Sequence, residues 1–566
     1  MARNPSLPAK KLQPVRNPFP FEHEHQPFAA HDPNVDAETV PKRKASQKRT
    51  KAPAMPAAAP TPEKGKRKAR TSSRENETTS PKPQPSKKAR TAATISSSLS
   101  PSPAVAIKAK DPKSASSTAS TAPASSSRSK DSASSILTTI VFGSGECGEL
   151  GLGPKKKASL VGRVNPFLDP HGKDKVEVAQ IACGGMHAIA LTADDKIMTW
   201  GVNDDNALGR DTKWDSGFRD SNKRSDNDDD DDEDEDLNPY ESTPAEVLSA
   251  HFPPNTEFVQ VAAGDSCSFV LTNTGLVYGW GTFRDSQGDM RFCFDRDGGL
   301  VKTQDKPMLV HNLKGIVQIV CGANHILALD KSGTVWGWGS GEQNQLGRRP
   351  FGRHQDTLAP RRVEVCRGKA RYIASGDYHS FAIDVKDNVW GWGLNSFGEA
   401  GDVKTAGDNF AVTPYPMKIP ELCGRGITVI AGGAHHSAAV TADGECLVWG
   451  RLDGGQLGIQ FSSQQFQDES LIRHDEHGKP RICLRPTAVP SLGRIIHVAC
   501  GTDHTIFIDE KGHGYATGFG SSGQLGLGSE EDQPVPKRLR GKRVDEHTLV
   551  WAGAGGQFSV VAALAR

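Results

Sequence analysis

The stretch CGANHILALDKSGTVWGWGSGEQNQLG, residues 321 to 347, decides the fold because the chain writes it repeatedly. It returns as CGGMHAIALTADDKIMTWGVNDDNALG at 183 to 209, AGDSCSFVLTNTGLVYGWG at 263 to 281, and SGDYHSFAIDVKDNVWGWGLNSFGEAG at 375 to 401. Two further copies are GGAHHSAAVTADGECLVWGRLDGGQLG at 432 to 458 and CGTDHTIFIDEKGHGYATGFGSSGQLG at 500 to 526. Self-similarity at a period of tens of residues marks an array of small units, none of which can bury its apolar face alone. A seventh copy is divided: AGGQFSVVAAL at 554 to 564 supplies its opening half and IVFGSGECGELG at 140 to 151 its closing half. A linear solenoid has no use for such a split. A ring does, because a last blade built from both ends leaves no sheet edge open.

Each unit carries short apolar runs, as in VEVAQIAC at 176 to 183, HAIALT and KIMTW, then a segment opened by a proline such as Pro244, Pro307 or Pro486. Proline lacks the amide donor a central strand needs, so these segments read as outer edge strands. The expectation is an all-β, seven-bladed β-propeller over 136–566, closed by strands from both ends of the globular region. Its opening glycines read as Gly184, Gly264, Gly322, Gly376, Gly432, Gly501 and Gly555, at intervals of 80, 58, 54, 56, 69 and 54 residues. The long first interval contains an acidic loop insertion, 220–238, with SDNDDDDDEDED at 225 to 236; the fifth holds a surface insertion, 459–482. The tryptophans of the WG pairs are expected to fill the space between blades.

The formal charge of +2 over 566 residues is a cancellation. Residues 1–135 hold 25 Lys or Arg against 10 Asp or Glu, and the remainder 44 against 57. The first segment is Pro, Ala, Ser, Thr, Lys and Arg, too poor in apolar side chains to offset chain entropy, and reads as a disordered basic tail. Three clusters lie in it: PKRKASQKR at 41 to 49, KGKRKAR at 64 to 70 and PSKKAR at 85 to 90. Such strings suit the acidic groove of a nuclear import receptor, through Lys42, Arg43, Lys44, Lys66, Arg67 and Lys68, or the phosphates of DNA. No run of about 18 apolar residues offers a membrane span. The ten cysteines form no CxxC pair, so metal ligation is not expected and reduced thiols are.

With its GGxH opening, ALT run, WG close and QLG tail, the repeat resembles the regulator of chromosome condensation family over about 430 residues. Two stretches narrow the resemblance: GTFRDSQG at 281 to 288 stands where other copies have the QLG tail and is similar to that family's β-wedge, and GVNDDNALGRDT at 201 to 212 is similar to the matching stretch of its exchange factors. The resemblance implies a guanine nucleotide exchange factor for the nuclear GTPase Ran, chromatin-associated in the nucleus. It implies that Phe283, Arg284 and Asp285 of the wedge meet the GTPase and that Asp265 and His435 serve exchange, with His187 and Asn324 as further contacts. Asn324 stands where the family has an acid, Glu146 replaces an Asp, and Phe558 replaces a His. The arginine-rich loop RRPFGRHQDTLAPRR at 348 to 362 would meet nucleosome core histones, with Arg349 and Arg353 the chosen contacts.

From the residues themselves, the recurring histidines, read as His187, His325, His379, His435 and His504, are first of all structural groups bracing a turn. The chain has neither GxxxxGK[ST] nor HExxH, so no covalent catalysis and no cofactor are expected. An exchange factor needs instead to bind empty GTPase better than the loaded form. A ten-thousandfold effect requires about 5.5 kcal/mol of differential binding. The alternative is a non-catalytic chromatin-bound propeller scaffold. A closed ring has no free edge, so a monomer is the default.

Overall fold

The computed structural model describes residues 136–214, 236–349, 357–409 and 411–565. The acidic insertion lies largely outside these residues, and the basic tail and its three clusters lie wholly outside them. The architecture is all-β and propeller-like: antiparallel sheets repeat along the chain, interrupted among the described residues by three α-helices of four residues each.

Each repeat lays down an inner strand of six residues, Val178–Cys183 in the first copy and Leu549–Ala554 in the last, followed by two fully paired strands and an irregular outer one. The split copy is assembled as its sequence demands. Strand Leu137–Ser144 pairs along its length with Phe558–Leu564, from Leu137↔Leu564 to Gly143↔Phe558. The seven inner strands together line one cavity of about 340 Å3.

The turn after each inner strand carries the opening glycine. From turn to turn, the backbone bonds to the next copy: Asp265 N–H to Ala323 O at 2.8 Å, Ala323 N–H to Asp377 O at 3.0 Å, and so on until Gly556 N–H donates to Gly185 O at 2.9 Å. Only glycine fits there. A Cβ on Gly501 would lie 2.2 Å from His504 Cε1 and 2.7 Å from Gly555 O. In the fifth copy this position belongs to Gly433, whose N–H donates to His436 O as Gly184 N–H does to His187 O, and not to Gly432, the last residue of the inner strand.

The prolines of the outer strands differ from expectation in one respect. Pro307 and Pro486 sit inside strands Gln304–Leu309 and Pro480–Ala488, where the pairing with the neighbouring strand shifts register, so a bulge rather than a strand start absorbs the missing donor. The insertion at 459–482 is also more than a loop. It contributes Ile472–His474, which pairs with Pro480–Ala488 as a fifth strand of its sheet. All ten cysteines are free. Among the described residues, no helix is long and apolar enough to cross a membrane.

Candidate functional site: a braced hairpin on the face of the opening turns

The recurring histidines resolve first, because they define what the remaining face residues are not. His187, His325, His379, His436 and His504 are fully buried. Each ring Nε2 lies 2.8–2.9 Å from a hydroxyl of the next copy: Ser268, Ser380, Ser437, Thr505 and Ser559 in turn. Every one of these hydroxyls donates its single hydrogen to a carbonyl in a closing turn, for example Ser437 to Glu399 O and Ser559 to Gln524 O. The ring must therefore be the donor, which fixes the neutral tautomer with hydrogen on Nε2. Nδ1 is left buried and unpaired in all five rings. Burial accordingly pushes the imidazoles down, to about 4 for His187 and His504 and about 3 for His325 and His436.

Two sequence readings change. His187 is one of these inter-sheet ties and presents no surface to a partner. The fifth member of the set is His436, and His435 occupies the preceding, variable position shared with Met186, Ser266, Asn324, Tyr378, Asp503 and Gln557. The tryptophans add to the same closing turns: Trp200, Trp280, Trp392 and Trp449 are buried, and their indoles donate to Glu149 O, Ala207 O, Gln345 O and Glu399 O at 2.8–3.0 Å.

His435 sits on the opening-turn face. It is 7% exposed, with Nδ1 3.4 Å from Glu399 Oε1 and its ring 4.8 Å from that of Phe397. Glu399 is itself fully buried, and its other oxygen accepts the Phe397 N–H at 2.6 Å. Three other copies hold glutamine at this position, Gln345, Gln456 and Gln524, and the split copy has Glu149, whose carboxylate likewise accepts an amide of its own turn, from Cys147 at 2.8 Å. Arg451 donates its amide to His435 O, and its guanidinium pairs with Asp453 at 2.6 Å and reaches Asp503 at 3.5 Å. Asp265 and Asp377 occupy equivalent turns of the second and fourth copies, both half-buried.

The second copy departs from the rest where its closing turn should be. The chain instead forms a hairpin, Phe283–Arg284 pairing with Met290–Arg291. Phe283 does not face a partner: it is fully buried and forms a triangle of rings with Phe269 and Phe292, at 6.1 and 5.6 Å, in a cluster with Trp338. It roots the hairpin. Arg284 is mostly buried and grips Asp205 through Nε at 2.8 Å and Nη2 at 2.5 Å, while its backbone N–H donates to Asn324 Oδ1 at 2.7 Å. Asp285 turns inward to Arg291 and accepts the amides of Gln287 and Asp289. The exposed surface of the hairpin is its tip, Ser286, Gln287 and Asp289. Asn324 thus supplies a neutral acceptor at the hairpin base.

Arg349 is exposed and ends the described part of its loop; Arg353 and the import residues Lys42, Arg43, Lys44, Lys66, Arg67 and Lys68 lie outside the described residues. Among the described residues, no group of three His, Cys, Asp or Glu side chains could hold a metal ion.

With this geometry in place, comparison with known proteins is decisive. The model of the RCC1-like domain matches residues 138–561. The chain belongs to the RCC1-like domain family. An RCC1-like relative, the guanine nucleotide exchange factor SRM1 of Saccharomyces cerevisiae, is 39% identical over 435 residues, covering 75% of this chain and 86% of SRM1. Protein RCC1 of Candida albicans is 38% identical, covering 75% of this chain and 91% of its own. Among solved RCC1-like structures, Prp20p from Saccharomyces cerevisiae, described with its binding properties to Gsp1p and histones, matches with a TM-score of 0.68 at 35% identity, over 78% of this chain and 93% of Prp20p. Prp20 bound to Kap60 matches with a TM-score of 0.67 at 36% identity, over 76% of this chain and 89% of that one.

Proposed function

We propose that the sheets of residues 136–566 are the seven blades of a closed propeller, and that this propeller is a guanine nucleotide exchange factor for a Ran-type small GTPase, working without covalent chemistry. The observation that carries the reading is the hairpin at 283–291: one copy of seven replaces its closing turn with a projecting element whose root is buried and whose tip is exposed. The naming of SRM1 as an exchange factor supports the same reading. The tip enters the GTPase beside its phosphate-binding backbone, and Asp265 and His435 hold the nucleotide-free form from the same face. Because the empty GTPase gains contacts that the loaded form lacks, nucleotide affinity falls by the same factor.

The remaining contacts follow from charge and from the relatives. The loop carrying Arg349 and Arg353 pairs its guanidinium groups with carboxylates of nucleosome core histones, in line with the histone binding described for Prp20p. The tail binds DNA and, through Lys42, Arg43, Lys44, Lys66, Arg67 and Lys68, an import receptor, in line with the Prp20–Kap60 complex. The protein then acts as a monomer on chromatin in the nucleus.

The test is release of a fluorescent GDP analogue from purified Ran-type GTPase. Acceleration at catalytic amounts of the protein is expected; release at the uncatalysed rate would leave only a scaffold.

A further inference from the structure

We propose that Asp205 and Glu342, carboxylates from the closing turns of the first and third copies, are positioning residues that hold the intervening hairpin in its GTPase-engaging pose. The inference rests on the exchange-factor reading and adds the means by which the wedge is preorganised. A two-stranded hairpin of this length has no independent stability. This one has three anchors. Its root is the Phe269–Phe283–Phe292 stack. Its middle is the Arg284 guanidinium, which binds both oxygens of Asp205 with only 16% and 9% of the two side chains exposed. Its tip is the Ser286 amide, which donates to Glu342 Oε2 at 2.5 Å. Planar guanidinium on carboxylate fixes orientation as well as distance. The hairpin is therefore tied on both flanks by the copies before and after it.

This arrangement makes exchange depend on groups that need not touch the GTPase. A hairpin held in one pose pays its ordering entropy during folding, so less of the binding free energy is lost when the partner arrives. Asp205 acts through Arg284, which predicts a specific pattern in a mutant cycle.

The experiment uses the full chain and the fluorescent-GDP release assay, with Asp205→Ala, Arg284→Ala, the double variant, and Glu342→Ala. Each single variant should lower the exchange rate at saturating GTPase about tenfold or more, and weaken binding of nucleotide-free GTPase while leaving affinity for the GDP form unchanged. The double variant should be no slower than Arg284→Ala, and Asp205→Glu should recover part of the rate. Hydrogen exchange at the Arg284 and Ser286 amides should quicken in Asp205→Ala and Glu342→Ala, respectively, with the global unfolding midpoint kept. Wild-type rates in both Asp205→Ala and Glu342→Ala, or losses that multiply in the double variant, would overturn the proposal. A wild-type protein with no exchange activity would overturn the function instead, so the two failures are distinguishable.

Discussion

The five buried imidazoles should make the propeller lose stability in a pH window where its carboxylates scarcely titrate. In the folded state each ring is held neutral, with values near 3 or 4 for His187, His325, His436 and His504, and His379 likewise pushed well down by burial. An unfolded histidine titrates near 6.5. As pH falls through 6.5 the unfolded chain takes up protons that the folded chain refuses, so stability declines with acidification and continues to decline toward the folded values. Between pH 7 and 6 the linkage amounts to somewhat less than 1 kcal/mol per ring and about 3 kcal/mol for the five together. His497, also pushed down by burial, adds to the slope. The protein itself shows how to remove one contribution. In the split copy Phe558 stands in place of the histidine and Ala188 in place of the next serine, both fully buried. His379→Phe with Ser437→Ala transplants that pair, and Glu399 O keeps the Trp449 indole as its donor. Equilibrium urea unfolding at pH 7 and pH 6 should show the acid-induced loss reduced by about one fifth. An unchanged pH slope in the double variant would refute the assignment of these rings as neutral ties, as would stability that is flat between pH 7 and 6 in the wild type.

Asp265→Ala should slow GDP release by about tenfold or more without moving the unfolding midpoint, and His435→Ala should slow it likewise while lowering the midpoint, because it leaves the buried Glu399 carboxylate without its imidazole. His187→Ala should lower stability by roughly 1–3 kcal/mol through the hydrogen bond to Ser268 that it removes and leave exchange per folded molecule intact; release kinetics beside urea melts separate the behaviours. Phe283→Ala should cost about 3–5 kcal/mol as a core truncation, read by the same melts, while Gln287→Ala at the tip should slow release and cost nothing. Cys267→His with Ile326→Ser should destabilise the second and third copies despite restoring the repeat's own residues, which a lowered urea midpoint would report.

Much of the architecture was readable because the repeat supplies its own internal comparison. The division of the seventh copy between residues 140–151 and 554–564 reappears as the Leu137–Ser144 pairing with Phe558–Leu564. The one-residue slip in the fifth copy arose because GGAHH offers two glycines and two histidines in succession, and only the inner-strand register, which ends at Gly432, selects Gly433 and His436. Site residues were readable in kind but not in direction. Phe283, Arg284 and Asp285 lie on the hairpin as expected, yet whether a hairpin side chain faces a partner or the core depends on what packs beneath it, here Phe269 and Phe292, which are distant from one another in the repeat alignment. Asp205 and Glu342 were invisible for a related reason: each acts across a copy boundary, and nothing local to NDDNALG or GEQNQLG announces a guanidinium or an amide waiting there. Glu399 left only a partial signal, because its column reads Glu149, Ala207, Gln345, Glu399, Gln456 and Gln524 and so holds a second acid.

The irregular second copy follows from a single structural change. At five of the six closing turns the carbonyl accepts a hydroxyl from the next copy, and that hydroxyl accepts a histidine Nε2–H from the copy before; at the sixth, Glu149 O, the pair is replaced by Phe558 and Ala188. The hairpin at 283–291 takes the place of the turn, so no such carbonyl is available to the third copy. A serine there would be a buried hydroxyl without an acceptor, at a cost of about 1–3 kcal/mol; the chain has Ile326. With no hydroxyl at that point, a histidine in the second copy would bury its Nε2–H unpaired, and the chain has Cys267. Both replacements are fully buried, in the same apolar cluster as Phe283, Phe292 and Trp338. The hairpin and the two departures from the repeat are therefore one adaptation: converting a turn into a projecting hairpin removes an acceptor, and the polar relay that used it is replaced by aromatic and aliphatic packing that roots the hairpin.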